Sequence, residues 1–163
     1  MILPILILAA VTLERLGELV LAQRNTRRLM TQGAREVGAR HYPLIVLLHG
    51  AWLAGLWLLA WDRPADLLWL AIFLILQAAR VWVIASLGGR WTTRIVVLPQ
   101  APLVSRGPYR LFRHPNYMVV AGEIAVLPLV FHLYVYAAVF FLLNAAVLAQ
   151  RIRVEERALR LTA

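Results

Sequence analysis

The chain has 163 residues, 62% of them apolar, and a mean hydropathy of +0.73. Those values exclude an ordinary soluble domain and fit one membrane-embedded domain. Its 17 cationic residues are all arginine against eight acids, a formal charge of +9, and the absence of cysteine excludes disulfides, cysteine-type zinc clusters and thiol nucleophiles.

A membrane helix needs about 20 mostly apolar residues. On that criterion spans fall at 2–22, 44–61 and 66–88. The first begins MILPILILAAV with no basic stretch ahead of it and no cleavage site behind it, so it reads as a retained helix and not a signal peptide. Glu14 and Glu18 lie four apart on one face of that helix and repel unless a cation or proton intervenes. Arg80 in the third span is the expected partner. The set is expected to border an acceptor pocket or to form a buried ion pair, because ionisable groups at membrane depth face the bundle interior. His49 and Gln77 read as interhelical hydrogen bonders. Trp52, Trp57, Trp61, Trp69 and Trp82 read as interfacial belt residues or as the lining of a lipid tunnel.

Residues 117–131 and 134–150 are shorter apolar runs joined across Pro128 and His132, which predicts short tilted spans or a helical hairpin. The expected fold is an all-α integral membrane protein of about five helices. Residues 1–88 then supply the N-terminal helices, and 89–163 the ligand-binding region of the same domain.

Arginines gather in three stretches, 23–43, 89–115 and the tail from Arg151 to Arg160. Five spans put all three on one side, and the positive-inside rule makes that side cytoplasmic, with the N-terminus outside. The same rule accounts for a pI near 11.4 without a nucleic-acid partner. Exclusive use of arginine points to a GC-rich, bacterial genome and thus to an inner membrane. Oligomeric state is not legible, since Gly50, Gly55 and the alanines of the fifth span suit packing within one chain or between two.

The connector 89–116 is too long and too rich in Gly, Pro and Arg to be a plain link. Its apolar residues, Trp91, Ile95 to Leu98, Leu103, Val104, Tyr109 and Phe112, want burial. They predict a short hairpin of 94–98 against 102–105. Pro115 suits the first turn of the fourth helix, so Arg113, His114 and Tyr117 gather at a helix N-terminus, where an anionic group such as a carboxylate is favoured. The fifth span runs on to Glu155 and Glu156, whose carboxylates suit the diol or amino group of a nucleoside. No strand followed by a G-x-G-x-x-G turn is present. Arg151 and Glu155, four apart, are expected to form a solvated pair on the last helix.

Arg113-His114-Pro115-x-Tyr117, followed by an apolar span and Glu155-Glu156, resembles the C-terminal signature of the isoprenylcysteine carboxyl methyltransferase superfamily, which includes phospholipid N-methyltransferases. The likeness is best over residues 90–160, and the Glu14 to Glu18 and Arg24 to Arg28 stretches resemble the short bacterial members. It implies an S-adenosyl-L-methionine-dependent enzyme with a donor site between the two motifs, held by Tyr109, Arg113, His114, Pro115, Tyr117, Glu155 and Glu156. Arg113, His114 and Glu156 are the expected catalytic residues. Glu14, Glu18, Arg80, Trp91 and Arg94 are expected on the acceptor side. Where such members often carry Gly two residues after the Tyr, this chain has Val119, with Gly122 one helical turn further on.

The acceptor implied is a lipid-like or prenylated molecule in the membrane. The leading chemistry is O-methylation of an isoprenylcysteine-like carboxyl or of a phenolic or pyrone lipid hydroxyl. N-methylation of an aminophospholipid is the enzymatic alternative, and a non-catalytic small membrane protein is the alternative from another class. A transporter should show corresponding broken positions in repeated halves, and the sequence shows none.

Overall fold

The structure, a computed structural model, describes residues 2–99 and 101–160. Within them the chain forms five α-helices: α1 (Ile2–Thr31), α2 (Tyr42–Ala60), α3 (Leu67–Leu87), α4 (Pro115–Val130) and α5 (Tyr134–Arg160). The all-α membrane fold read from the sequence is the one observed. Three of the helices, α2, α3 with the turn that follows it, and α5, are long and apolar enough to cross a bilayer. α1 carries Glu14, Arg15 and Glu18 in its middle, and α4 has 16 residues.

Local chemistry sets the helix ends. Asp66 caps α3, its carboxylate accepting from the amides of Leu68 at 2.9 Å and Trp69 at 3.2 Å. Gly88 ends the same helix at φ +55°, in the left-handed region that glycine reaches without a steric cost. Pro115 occupies the first turn of α4, as its missing N–H predicts. Near the other end Pro128 and the turn through His132, at φ +58°, fold α4 back on α5, with the Leu133 amide donating to the Pro128 carbonyl at 3.0 Å. The last two helices are thus the hairpin that the sequence offered, with α5 running on to Arg160.

An apolar core of Leu8, Trp52, Leu56, Phe73, Ile124, Leu127 and Phe131 joins the helices towards one end. Leu47, Leu58, Leu68, Ile75, Val135 and Leu142 point outward and are exposed, the arrangement suited to lipid contact. At the opposite end, a two-stranded ribbon pairs β1 (Arg35–Val37) antiparallel to β2 (Ile95–Val97). This corrects the expected hairpin of 94–98 with 102–105: β2 takes its partner from the connector between α1 and α2, and residues 101–105 form no strand. Short apolar strands pair with whatever edge the helices bring beside them.

Candidate functional site

Two cavities adjoin near the ribbon. The larger, of about 280 Å³, lies among the helices and is mostly apolar, lined by residues such as Leu16, Leu19, Ile45, Trp52, Leu53, Val120 and Val147. The smaller, of about 140 Å³, is polar and lies at the helix ends between β2 and the start of α4. Trp91, Thr92, Asn116, Tyr117 and Arg151 line both, so the two spaces adjoin at this shared wall of side chains.

The polar cavity gathers most of the motif residues. His114 stacks on Tyr117, ring centroids 5.6 Å apart and 19° from parallel, and its Nε2 lies 3.3 Å from Glu156 Oε1. The Tyr117 hydroxyl donates to Glu155 and accepts from Arg151 Nε at 2.9 Å, while Arg151 Nη2 donates to the Thr93 carbonyl at 2.7 Å. The two motifs, 38 residues or more apart in sequence, therefore meet through direct contacts. Tyr109 lines the same cavity, and burial together with the nearby Glu155 carboxylate pushes its phenol above the usual tyrosine range. Pro115 is buried beneath the cluster, whereas Arg113 is exposed and lies outside both linings. The expected solvated pair of Arg151 with Glu155 is replaced: Arg151 is buried, 9% exposed, and turns inward because the Thr93 carbonyl and the Tyr117 oxygen need a donor there.

The expected acceptor-side residues divide. Glu18, Arg80 and Trp91 line the apolar cavity, while Arg94 lines the polar one, pairs with Glu36 at 2.8 Å and lies 4.4 Å over the Tyr42 ring. Arg80 is the partner of Glu18, as expected, its Nη2 donating to Glu18 Oε2 at 2.7 Å. Glu14 lies outside the lining and is bonded by Gln77 across helices. His49 bonds within its own helix instead of between helices, Nδ1 donating to the Ile45 carbonyl at 2.9 Å. Of the tryptophans, Trp52 is buried with its indole N–H on the Ile124 carbonyl at 3.2 Å, Trp57 donates to Thr12 at 3.0 Å, and Trp61 and Trp82 are exposed.

Sequence reasoning missed Glu123, Arg15 and Asn25, which brace the surroundings of the two cavities. Glu123, 3% exposed, binds Arg15 at 3.1 Å and Arg80 at 3.2 Å, closing a network of Arg15, Glu18, Arg80 and Glu123 over three helices. A lone acid within an apolar run was the available signal. Asn25 on α1 donates to the Trp91 carbonyl at 2.8 Å and the Gly88 carbonyl at 3.2 Å, which holds the wall residue Trp91 in place.

A match over residues 69–161 to the model of the isoprenylcysteine carboxyl methyltransferase family covers α3 to α5, the two meeting motifs and both ends of the shared wall. The chain belongs to that family. With three apolar helices long enough to cross a bilayer it is a membrane protein of a methyltransferase family. It is similar to the uncharacterized protein YpbQ of Bacillus subtilis, 38% identical over 95% of each chain. It is also similar to an uncharacterized protein of Haemophilus influenzae, 28% identical over 89% of this chain and 88% of that one. No solved structure matches.

Proposed function

We propose that the chain is an S-adenosyl-L-methionine-dependent methyltransferase whose acceptor is a lipid-like molecule, with the donor in the polar cavity and the acceptor in the apolar one. The observation that carries this reading is the shared wall of Trp91, Thr92, Asn116, Tyr117 and Arg151, which sets a polar and an apolar space side by side. Methyl transfer is an in-line displacement in which the acceptor atom would meet the methyl carbon directly, about 3 Å away and opposite the sulfur, which would leave as the neutral thioether of S-adenosylhomocysteine. The reaction therefore needs two spaces that open onto each other where these side chains meet.

The polar cavity fits the donor by chemistry. Glu155 is a carboxylate acceptor for a ribose diol or an adenine amine, Arg90 and Arg94 suit a carboxylate, and the ring faces of Tyr109, Tyr117 and His114 suit a sulfonium. Trp91 Nε1 is buried without a partner in a residue lining that cavity, so a donor atom is available there. When bound, S-adenosyl-L-methionine supplies a methyl group on a positively charged sulfur, poised for displacement. The chain's own residues hold and align. Glu156 fixes the His114 ring by accepting from Nε2, which orients it in the polar cavity. A hydroxyl acceptor would lose its proton to a base among the residues where the two spaces adjoin, with His114 the candidate only if the acceptor's head reaches through to it. A carboxyl acceptor is already ionised and needs positioning only. O-methylation of an isoprenylcysteine-like carboxyl or of a phenolic or pyrone hydroxyl is the chemistry we favour, with Arg113 contributing charge at the rim.

The ends of α1, α3 and α5 and the starts of α2 and α4 meet at the ribbon, which places the three arginine-rich stretches together. By the positive-inside rule we assign that end to the cytoplasm and the N-terminus to the outside of a bacterial inner membrane. Calorimetric titration of the detergent-solubilised protein with S-adenosylhomocysteine tests the donor site. Micromolar binding is expected, and its absence removes the reading. Incubation with labelled donor and a lipid extract of the source cells, with identification of the labelled product, names the acceptor.

A further inference from the structure

Two helical turns from the shared wall lies a second polar layer with one residue from each helix, Glu18, His49, Arg80, Glu123 and Asn144, all but Glu123 lining the apolar cavity. On α5, Asn144 is seven residues from Arg151 of the wall, and on α4, Glu123 is seven from Asn116, so the layers lie roughly 10 Å apart along the helices. Four of the five have partners. Arg80 and Arg15 each donate to both Glu18 and Glu123, and His49 donates to its own helix. Asn144 differs: it is fully buried, it lines the cavity, and neither its Oδ1 nor its Nδ2 has a hydrogen-bond partner.

An unpaired amide in a cavity lined also by Val147, Leu148 and Leu53 is costly unless something in that cavity satisfies it. The arginines that line this cavity are already paired, Arg15 and Arg80 each with two carboxylates and Arg151 with Tyr117 and Thr93, so none of them is spare for an ionised group. Resting on the methyltransferase reading, we infer that Asn144 reads the acceptor: the cavity takes an amphiphile that carries, beyond the methylated atom, an uncharged group able both to donate and to accept a hydrogen bond. A hydroxyl or an amide meets that requirement, and a plain hydrocarbon tail does not. Discrimination follows from the same source, because a ligand lacking the group leaves the amide unpaired in the complex.

The test compares two tailed phenols that differ in this one feature, N-octyl-4-hydroxybenzamide and 4-nonylphenol. Each is titrated calorimetrically into the full-length protein in maltoside micelles. Replacing Asn144 by Leu is expected to weaken the benzamide about tenfold and the nonylphenol less than about threefold. S-adenosylhomocysteine binding and the melting temperature should hold or, for the latter, rise, since an unpaired buried amide is removed. Asn144→Ala serves as the second variant if the leucine protein does not fold. An unchanged benzamide affinity, an equal loss for both probes, no benzamide binding by the wild type, or a fall in melting temperature each overturns the inference. Failure of the wild type to bind S-adenosylhomocysteine sinks the methyltransferase reading instead and leaves the probe comparison standing.

Discussion

The ion network inside the helices and the cluster at the donor rim use the same kinds of side chain and differ in closure. In the network, both oxygens of Glu123 and both of Glu18 are engaged by Arg15 and Arg80, and Glu123 is 3% exposed. At the rim, His114, Tyr117, Glu155 and Arg151 form a chain of single contacts around a cavity, and the side chain of Glu156 is 35% exposed. A set of charges whose carboxylate oxygens are all taken fixes how α1, α3 and α4 pack, even where Arg15, Glu18 and Arg80 border the apolar cavity. An open set beside a cavity keeps donors and acceptors available for a ligand. The first is read as scaffold and the second as site.

The largest expected effect breaks the scaffold side of that contrast. Glu123→Ala removes one of the two carboxylates that buried Arg80 and half-buried Arg15 share, leaving them Glu18, and breaking a buried pair in this way costs up to about 3 kcal/mol. Thermal unfolding in detergent should show a large fall in melting temperature, with Glu123→Gln falling less. A wild-type melting temperature for the alanine variant sinks the scaffold assignment. Next in size is Glu155→Ala at the rim. It should reduce S-adenosylhomocysteine affinity by roughly 2 kcal/mol, more than tenfold, the scale of a hydrogen bond to a charged group. Its melting temperature should stay near wild type. If Glu155→Ala lowers stability as Glu123→Ala does, the contrast between the two regions fails.

How much of this was legible in the sequence follows the same division. The helices were, because unbroken apolar runs fix them, but their ends were not. α1 continues nine residues past Ala22 through Arg24, Arg27 and Arg28, because arginine is a good helix former and the segment leaves the apolar slab without leaving the helix. The meeting of His114 and Tyr117 with Glu155 and Glu156 was legible as a motif. The pairing of β1 with β2 was not, since three-residue strands carry too short an alternation to announce a partner some 60 residues away. Glu123 and Asn144 each sit alone in an apolar run. Periodicity passes over a single polar residue, and only the cost of burying one at membrane depth singles it out.

Smaller effects sharpen the rim. Tyr117→Phe removes the hydroxyl that joins Glu155 to Arg151, leaving Arg151 its bond to Thr93. A loss of about 1.5 kcal/mol in S-adenosylhomocysteine binding is expected, since the ring face remains and only the orientation of Glu155 is released. Wild-type affinity in this variant shows that the hydroxyl does not position Glu155 for the ligand.

The smallest is Asn25→Ala. Its amide holds the Gly88 and Trp91 carbonyls from α1, so its loss leaves two backbone acceptors without that donor, at a cost of about 1 kcal/mol in stability. Trp91 lines both cavities, so loosening it should weaken the donor analogue and the tailed phenols together, each by a few-fold and by a similar factor. A change confined to one ligand would mean that the two spaces are held by separate supports, and that Trp91 is not a common wall of both.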